Sequence, residues 1–567
     1  MYKTQTMFRF LRFISNIKSS TLIIRPHQRC YSVHGEEIPA THAWNLSNDG
    51  GDISCLGSYT EGSGIILGVY TSEKTSNIVC LTKTATVFNH NINGRLIDAL
   101  KVTPLPRLGE VRVYPKLDPT FDVVAIAGLG RNGAGYNKRE GRDEAKENVR
   151  KAVGAGVIKL QAMKVNKIYV EGFDDPESAA EGAHLAVWQN HHLLSNTKRK
   201  VKMPDLILYG DCDMKKWRIG LEKAEAQNFA RKLMETPANM MTPRALAYTI
   251  VQTLCKTNVN VTLRSERWLQ ENNMNAFLEN TKGSPQGPIL VQLNYNGCDP
   301  GIPPVVLIGK GLTFNSGGLC LKKCEEMKHM RGDMAGAAVI VAAFKAMAAL
   351  GLPINVVGLL AIGENMPGGT AGRPKDIVKS LSGKSILVSP RDFSGNLMLA
   401  DTLCFAQSFN PKYIVSVATL TKEVRTAFGL SASGLFTKNE KLWQLLKIAA
   451  IHSGDRVWKC PLWRMYEREI KDFTSSDLST LQRDEFYPRG ISCTTTAFLN
   501  QFTCHKNWAH IDTSGTMYEG GRTSYLKKGM SGRPTRTLIE FLGQMAYPPD
   551  LEDGKISSDT VKQDACG

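Results

Sequence analysis

From Phe121 onward the chain alternates apolar runs of strand length with amphipathic runs of helical period. That alternation confines it to an α/β fold with a largely parallel sheet. "FDVVAIAGLG" (Phe121 to Gly130) reads as a buried strand, and "DEAKENVRKAVGAGVIKLQAM" as the helix after it. "KIYVEGF" (strand), "ESAAEGAHLAVWQN" (helix) and "MPDLILYG" (strand) continue the series. A second series holds the strands "PPVVLIGKGL", "INVVGLLAIG" and "KYIVSVATLT" and the helix "AGAAVIVAAFKAMAAL". Between them, "WRIGLEKAEAQNFARKLMETPANMMTPRALAYTIVQTL" reads as a long helix, a Pro-broken turn and another helix, joining two domains near residue 225. The 567 residues are enough for two cores. The expected division is an N-terminal α/β domain over 36–225, a C-terminal domain over 226–546 and a disordered tail over 547–567. Within the first, "GSGIILGVYT" and "SNIVCLTKTATVF" read as short β-rich runs, and "RTLIEFLGQM" is the expected last ordered helix.

The net charge of +17 raises nucleic acid or acidic membrane surfaces as partners. Part of that charge belongs to the first 35 residues, which carry Lys3, Arg9, Arg12, Lys18, Arg25 and Arg29 before the first acid, Glu36. Arg-rich, Ser-containing and acid-free composition, with Phe8, Leu11, Phe13 and Ile17 at near-helical spacing, is that of a mitochondrial transit peptide. Residues 1–35 are therefore expected to direct the chain to the matrix, with cleavage after Tyr31. Removing six positive charges leaves +11 (17 − 6). No apolar run reaches the ~18 residues of a membrane helix, and no membrane partner is expected. Nucleic acid is not expected either, since "NTKRKVK" (Asn196 to Lys202) reads as a solvated loop. The thirteen cysteines, odd in number and without a paired framework, suggest reduced thiols.

Two motifs mislead. Gly128, Gly130 and Gly133 make a literal G-x-G-x-x-G after a strand. A dinucleotide fold needs its helix to start at that turn, whereas "AGYNKREGR" delays the helix to about Asp143. Cys320, Cys324 and His329 have partial zinc-site spacing but no fourth ligand at a suitable distance.

The chemistry is expected in three loops beyond strands. "IGKGLTFNSGGLCLKK" places Lys310 at a strand end before a Gly-rich turn. It is not a P-loop, because Gly311 follows the lysine and Pro304 fills the first glycine's slot. "MKHMRGDMAGAA" sets Asp333 before small residues, and "RDFSGNLMLADTL" carries Asp392. Successive loops of one α/β sheet converge on a shared crevice.

These segments, with "METPANMMTP", "PINVVGLLAIGENMPGGTAGRPKDIV", "VATLT", "NWAHIDTSG" and "AGLGRNGAG", resemble in order and spacing the leucyl (cytosol-type) aminopeptidase family of two-metal exopeptidases. The resemblance covers roughly Phe121 to Phe541. It implies a macro-like N-terminal domain, an α/β C-terminal domain with a central mixed sheet, and a homo-hexamer built as a dimer of trimers. It also implies Lys310, Asp333 and Asp392 as metal ligands and Lys322 as the electrophilic lysine. Asn315 and Ser394 stand where the family has its bridging Asp and Glu, and Asn396 where an arginine holds the bicarbonate base. Thr421, Lys422 and Glu423 occupy the substrate loop, with charged bulk where the family has almost none.

Two divalent cations ~3.5 Å apart repel by about 19 kcal/mol at an effective dielectric of ~20. The family's four carboxylates balance them; with both bridges neutral, amide and hydroxyl oxygens do not. The expectation is a mitochondrial family member with lost or severely impaired peptidase activity and a structural or assembly role. It looks similar to the degenerate members abundant in insect sperm mitochondria and is expected to assemble as a homo-hexamer, possibly with paralogues. No cofactor is expected for a degenerate site. The alternatives are an active manganese or zinc aminopeptidase and a nucleic-acid-binding hexamer.

Overall fold

The computed structural model describes residues 21–24, 62–71, 79–190, 193–194, 203–210, 213–388, 395–471, 473–480 and 490–548. Its larger strands are β1 (Thr21–Ile24), β2 (Ser63–Thr71), β3 (Val111–Pro115), β4 (Val123–Arg131), β5 (Lys167–Glu171) and β6 (Asp205–Tyr209), then β7 (Val259–Arg264), β8 (Ile289–Asn296) and β9 (Val305–Asn315). They continue with β10 (Asn355–Asn365), β11 (Tyr413–Ala418), β12 (Ser433–Thr437), β13 (Val457–Cys460) and β14 (Trp508–Asp512). The N-terminal sheet runs β3-β4-β2-β5-β6, with the two-residue strand Cys80–Leu81 against β2. The C-terminal sheet has nine strands in the order β1-β7-β8-β10-β9-β11-β14-β12-β13. Its centre (β10, β9, β11, β14) is parallel; β1, β7 and β8 on one side and β12 on the other join antiparallel, and β13 pairs parallel with β12, a mixed sheet as the resemblance implies.

The helices used below are α1 (Lys83–Asn91), α2 (Glu144–Ala162), α3 (Pro176–Val187), α4 (Met214–Glu235), α5 (Ala335–Leu350), α6 (Asn396–Ala406), α7 (Lys422–Phe428) and α8 (Thr535–Ala546). The long strands and helices fall where the apolar runs put them, because those runs are long and buried on both faces. Four readings need correction or placement. "KTATVFNHN", expected to be β-rich, is the helix α1, because Thr82 caps its start by accepting from Ala85 N and Ala85 and Phe88 share its buried face. Lys310, expected at a strand end, is the sixth of eleven residues in β9. Pairing with β11 nevertheless stops at Gly309, so Lys310 lies one residue past that paired edge. The junction near residue 225 falls inside the unbroken helix α4. Thr21–Ile24, within the expected transit peptide, forms the edge strand β1 and pairs antiparallel with β7. The helical part of that peptide, "NTKRKVK", and all of the expected tail but Tyr547 and Pro548 lie outside the described residues.

The helix after the Gly-rich turn starts at Glu144, capped by Asp143, once the short hairpin of Tyr136–Asn137 and Arg142–Asp143 has intervened. The dinucleotide geometry is therefore not formed. The nine described cysteines are free thiols.

Helices of both domains meet at a buried ionic network. Glu181 of α3 accepts from Arg150 Nε of α2 at 2.5 Å and from Arg536 Nη1 of α8 at 2.6 Å. Arg536 continues to Asp455 Oδ1 at 3.1 Å, which also takes Arg533 Nε at 2.9 Å. Beside it, Lys223 of α4 bridges Glu177 at 2.5 Å and Glu540 at 2.6 Å. Burial pushes the Glu181 carboxyl up, but Arg150 and Arg536 outweigh it and hold it down at about 2. Such a network is costly to break, because removing one member leaves the others buried and unpaired. Glu181→Gln is expected to cost about 3–5 kcal/mol in urea unfolding. Lys422→Ala, which removes one side of an exposed pair, is expected to cost under about 1 kcal/mol.

His184 on α3 is half-buried, with its ring edge-on to Trp217 and its Nε2 buried without a hydrogen bond. Burial pushes its pKa down to about 4. Because that lies below the unfolded value near 6.5, neutral His184 stabilises the fold above pH 6.5, and the contribution is lost as pH falls through about 4. His184→Phe is expected to flatten the fall in melting temperature between pH 6.5 and pH 4.

Candidate functional site

The site is built where α5 is laid across the parallel strands. At Gly336 a Cβ would sit 2.1 Å from Val417 O and 2.8 Å from Lys310 N, so only glycine lets the start of α5 approach β9 and β11 so closely. The approach places Asp333, in the turn before α5, over Lys310. On the other side stands Gly395, just before α6, where φ is 93° and a Cβ would meet Lys310 Cδ at 2.6 Å.

Lys310 is 1% exposed. Its Nζ donates to Asp333 Oδ1 at 2.7 Å and to the Thr419 carbonyl just beyond β11. Thr419 Oγ1 donates to the same Oδ1 at 2.6 Å. The other oxygen, Asp333 Oδ2, accepts from Asn315 Nδ2 at 2.9 Å. The orientation of Asn315 is set by its remaining partners. Its Oδ1 accepts from Gly317 N and from Asn365 Nδ2, both at 2.9 Å, and a backbone N–H can only donate. Both oxygens of Asp333 and the carbonyl of Asn315 thus face donors. Burial lowers the Lys310 pKa; the Asp333 charge opposes this, and Lys322 adds to the lowering.

Lys322 follows the Gly317–Gly318 turn. Its backbone N–H donates to Ser316 O at 2.8 Å, its stem covers Gly317, and its side chain is half-buried. Asn396 is wholly buried in the first turn of α6; its Oδ1 accepts from Leu397 N at 2.9 Å, and its Nδ2 has no hydrogen-bond partner. Asp392 and Ser394 lie outside the described residues.

The substrate-loop positions divide. Thr421 is buried and donates through N–H and Oγ1 to Asp512 Oδ2 at 2.8 and 2.7 Å. Lys422 is 73% exposed and reaches Glu326 at 3.5 Å, from the segment after the Gly-rich turn. Its charged bulk is directed to the surface, where it ties two lips of the crevice weakly. Glu423 is half-buried in the first turn of α7.

Sequence reasoning gave no role to Thr419, Asn365 or Asp512. Asp512 ends β14 and also accepts from Leu420 N at 3.2 Å and Ser514 Oγ at 2.6 Å; burial raises its pKa. The available signal was a lone acid closing the apolar run "WAHID" before "TSG", as Asp333 stands before "MAGAA".

A pair of hard cations needs several anionic oxygens free to face it. Among the described residues no group of three His, Cys, Asp or Glu side chains is placed to hold a metal ion. At the centre, the Asn315 amide presents Nδ2 to Asp333. The described side chains form a hydrogen-bonded ion pair. Cys320, Cys324 and His329 form no metal cluster either.

Comparison with known proteins agrees with this architecture. A family profile described as the catalytic domain of the cytosol aminopeptidase family matches residues 228–539, and the N-terminal domain of the same family matches 66–197. The Xenopus tropicalis cytosol aminopeptidase is 41% identical over 488 residues, covering 85% of this chain and 93% of that protein. The human cytosol aminopeptidase is 40% identical over 483 residues, covering 84% and 92%. Among solved structures, the bottromycin maturation enzyme BotP in complex with Mn aligns with a TM-score of 0.72 at 27% identity, covering 86% of this chain and 100% of that one. The chain belongs to the cytosol aminopeptidase family.

Proposed function

We propose that this family member has lost, or retains only a trace of, metallopeptidase activity, and that it serves as a structural or assembly protein of the mitochondrial matrix. The observation that carries the reading is the Asn315 amide donating to Asp333 at 2.9 Å. A carboxylate there would repel Asp333 unless a cation lay between them; an amide removes both the repulsion and the cation's ligand. Lys310 then neutralises Asp333 directly, at 2.7 Å. Ser394 and Asn396 extend the change, since a hydroxyl stands in the second bridging position and an amide in the position of the bicarbonate-holding arginine. Lys322 remains, but its task of polarising a scissile carbonyl has no partner nucleophile. The hexamer, alone or with paralogues, comes from the family likeness; the matrix address comes from the acid-free, Arg-rich segment before Glu36.

Loss of even one partner behind a metal ligand costs ~10–100-fold in affinity or activity. The purified mature chain is therefore expected to retain little manganese or zinc after dialysis and to hydrolyse a leucyl chromogenic substrate at least ~100-fold more slowly than the Xenopus or human relatives. Turnover near theirs would establish the alternative, an active manganese or zinc aminopeptidase. Asn315→Asp, Ser394→Glu and Asn396→Arg together are expected to restore metal binding. Asn315→Asp alone is expected to lower the melting temperature without metal and to recover it with manganese.

Import into isolated mitochondria, followed by N-terminal sequencing, is expected to give a mature chain starting at Ser32. Full-length protein outside the organelle would refute the matrix assignment.

A further inference from the structure

β7 (Val259–Arg264) lies away from the candidate site, with β8 and β10 between it and β9. One of its edges pairs with β8 along all six residues. The other is met by β1, antiparallel, from Thr21↔Arg264 to Ile24↔Val261. β1 belongs to the segment read as a transit peptide, and the expected cut after Tyr31 falls shortly beyond Ile24. Processing therefore severs from the body the strand that, among the described residues, closes this edge. Four residues paired on a single neighbour are marginal on their own, so the released strand has little to hold it.

Once opened, the edge lacks the usual guards. An edge strand is ordinarily protected by lysine, proline or a bulge, because its unpaired N–H and C=O groups otherwise template another chain. β7 reads Val-Asn-Val-Thr-Leu-Arg, without lysine or proline, and its register against β8 runs without a bulge. Its one charge, Arg264, is engaged within its own sheet: the guanidinium lies over the Trp268 ring at 4.2 Å and donates to Gln292 Oε1 at 2.7 Å. The opposite edge strand of the same sheet, β13, carries the exposed Lys459. One edge is thus guarded by its own sequence, the other by a removable strand.

We propose that removal of the presequence opens β7 as an interaction surface, and that its occupant is β7 of a second copy. The proposal rests on the matrix processing proposed above. The seating of β1 shows that the edge accepts an antiparallel partner, and an antiparallel pair of identical strands is what a two-fold axis generates. Such a pair can use all six residues of each strand, against the four that β1 supplies. β1 is then a plug as well as part of an address: it keeps the edge closed until the chain reaches the compartment where copies assemble.

The test compares one folded chain before and after the cut. A site-specific protease sequence placed after Tyr31 in the full chain lets β1 be removed once folding is complete. Sedimentation is expected to give the cut chain about twice the mass of the uncut chain, or more. Hydrogen exchange at the Val259–Arg264 amides is expected to be slow in the uncut chain, slow in the cut assembly, and fast when that assembly is diluted to its smaller form. Leu22→Pro with Ile23→Pro removes a donor from each side of β1 and is expected to give the larger assembly without any cut. The proposal is overturned if the cut chain keeps the mass of the uncut one, if it grows while its β7 amides exchange fast, or if the double proline variant stays small. A chain that is not imported in the mitochondrial experiment bears on the address alone, since here the cut is made in solution.

Discussion

A buried ammonium must be answered by a negative charge and by acceptors for its protons, and Lys310 makes that demand at the centre of the larger sheet. Asp333 and the Thr419 carbonyl meet it. Much of the surrounding architecture is what that meeting requires. Gly336 lets α5 descend onto β9 and β11, and Gly395, just before α6, leaves room for the lysine stem. Because β9 loses its β11 partner after Gly309, a space opens beside Lys310 into which the loop after β11 folds. The site is thus a consequence of how far each parallel strand runs.

The same logic, on a larger scale, joins the two domains. Arg150, Glu181, Arg536 and Asp455 are all nearly inaccessible, and they link helices of the N-terminal domain to α8 and the Asp455 turn of the C-terminal one. Tyr525 adds its hydroxyl to Glu147 at 3.0 Å, packed where Gly154 leaves room for it. Charges so placed tolerate exchange of the whole set far better than loss of one member. The interface therefore fixes the domains by specific pairing as well as by apolar contact, and α4, running unbroken through the expected junction, gives it a rigid spine.

How much of this the sequence disclosed depended on the kind of signal. Long apolar runs announced β4, β9, β10 and α5, since a segment buried on both faces has no other way to be written. α1 was concealed because its exposed Thr86 and Val87 are β-branched and suggested a strand; its cap, Thr82, was the only contrary sign. Lys310 was recognised as a site residue, but its depth in β9 depends on where a neighbouring strand stops, and that is a property of pairing between distant segments. Lys422 was read as bulk within the crevice. Its first-turn position on α7 sends it outward to Glu326, a direction that composition cannot supply. Thr419 and Asn365 were hidden because a small polar residue at the end of an apolar run looks the same whether it caps a strand or serves a buried charge.

Retained family residues at such a site are weak evidence of retained chemistry, for a physical reason. Once Lys310 and Asp333 are buried 2.7 Å apart, replacing either leaves the other uncompensated, and that cost exists whether or not a substrate is ever bound. The pair is held in place by that cost alone, whatever chemistry is carried out beside it. The positions that discriminate are those whose charge mattered only with cations present. Asn315 is the clearest of them: as an amide it bonds Asp333 and accepts from Gly317 and Asn365, so every group around it is satisfied without metal. An aspartate in its place would leave two carboxylates in contact and only one Lys310 to neutralise them. The neutral residue makes the metal-free arrangement self-consistent, and that consistency is the physical content of the proposed loss of activity.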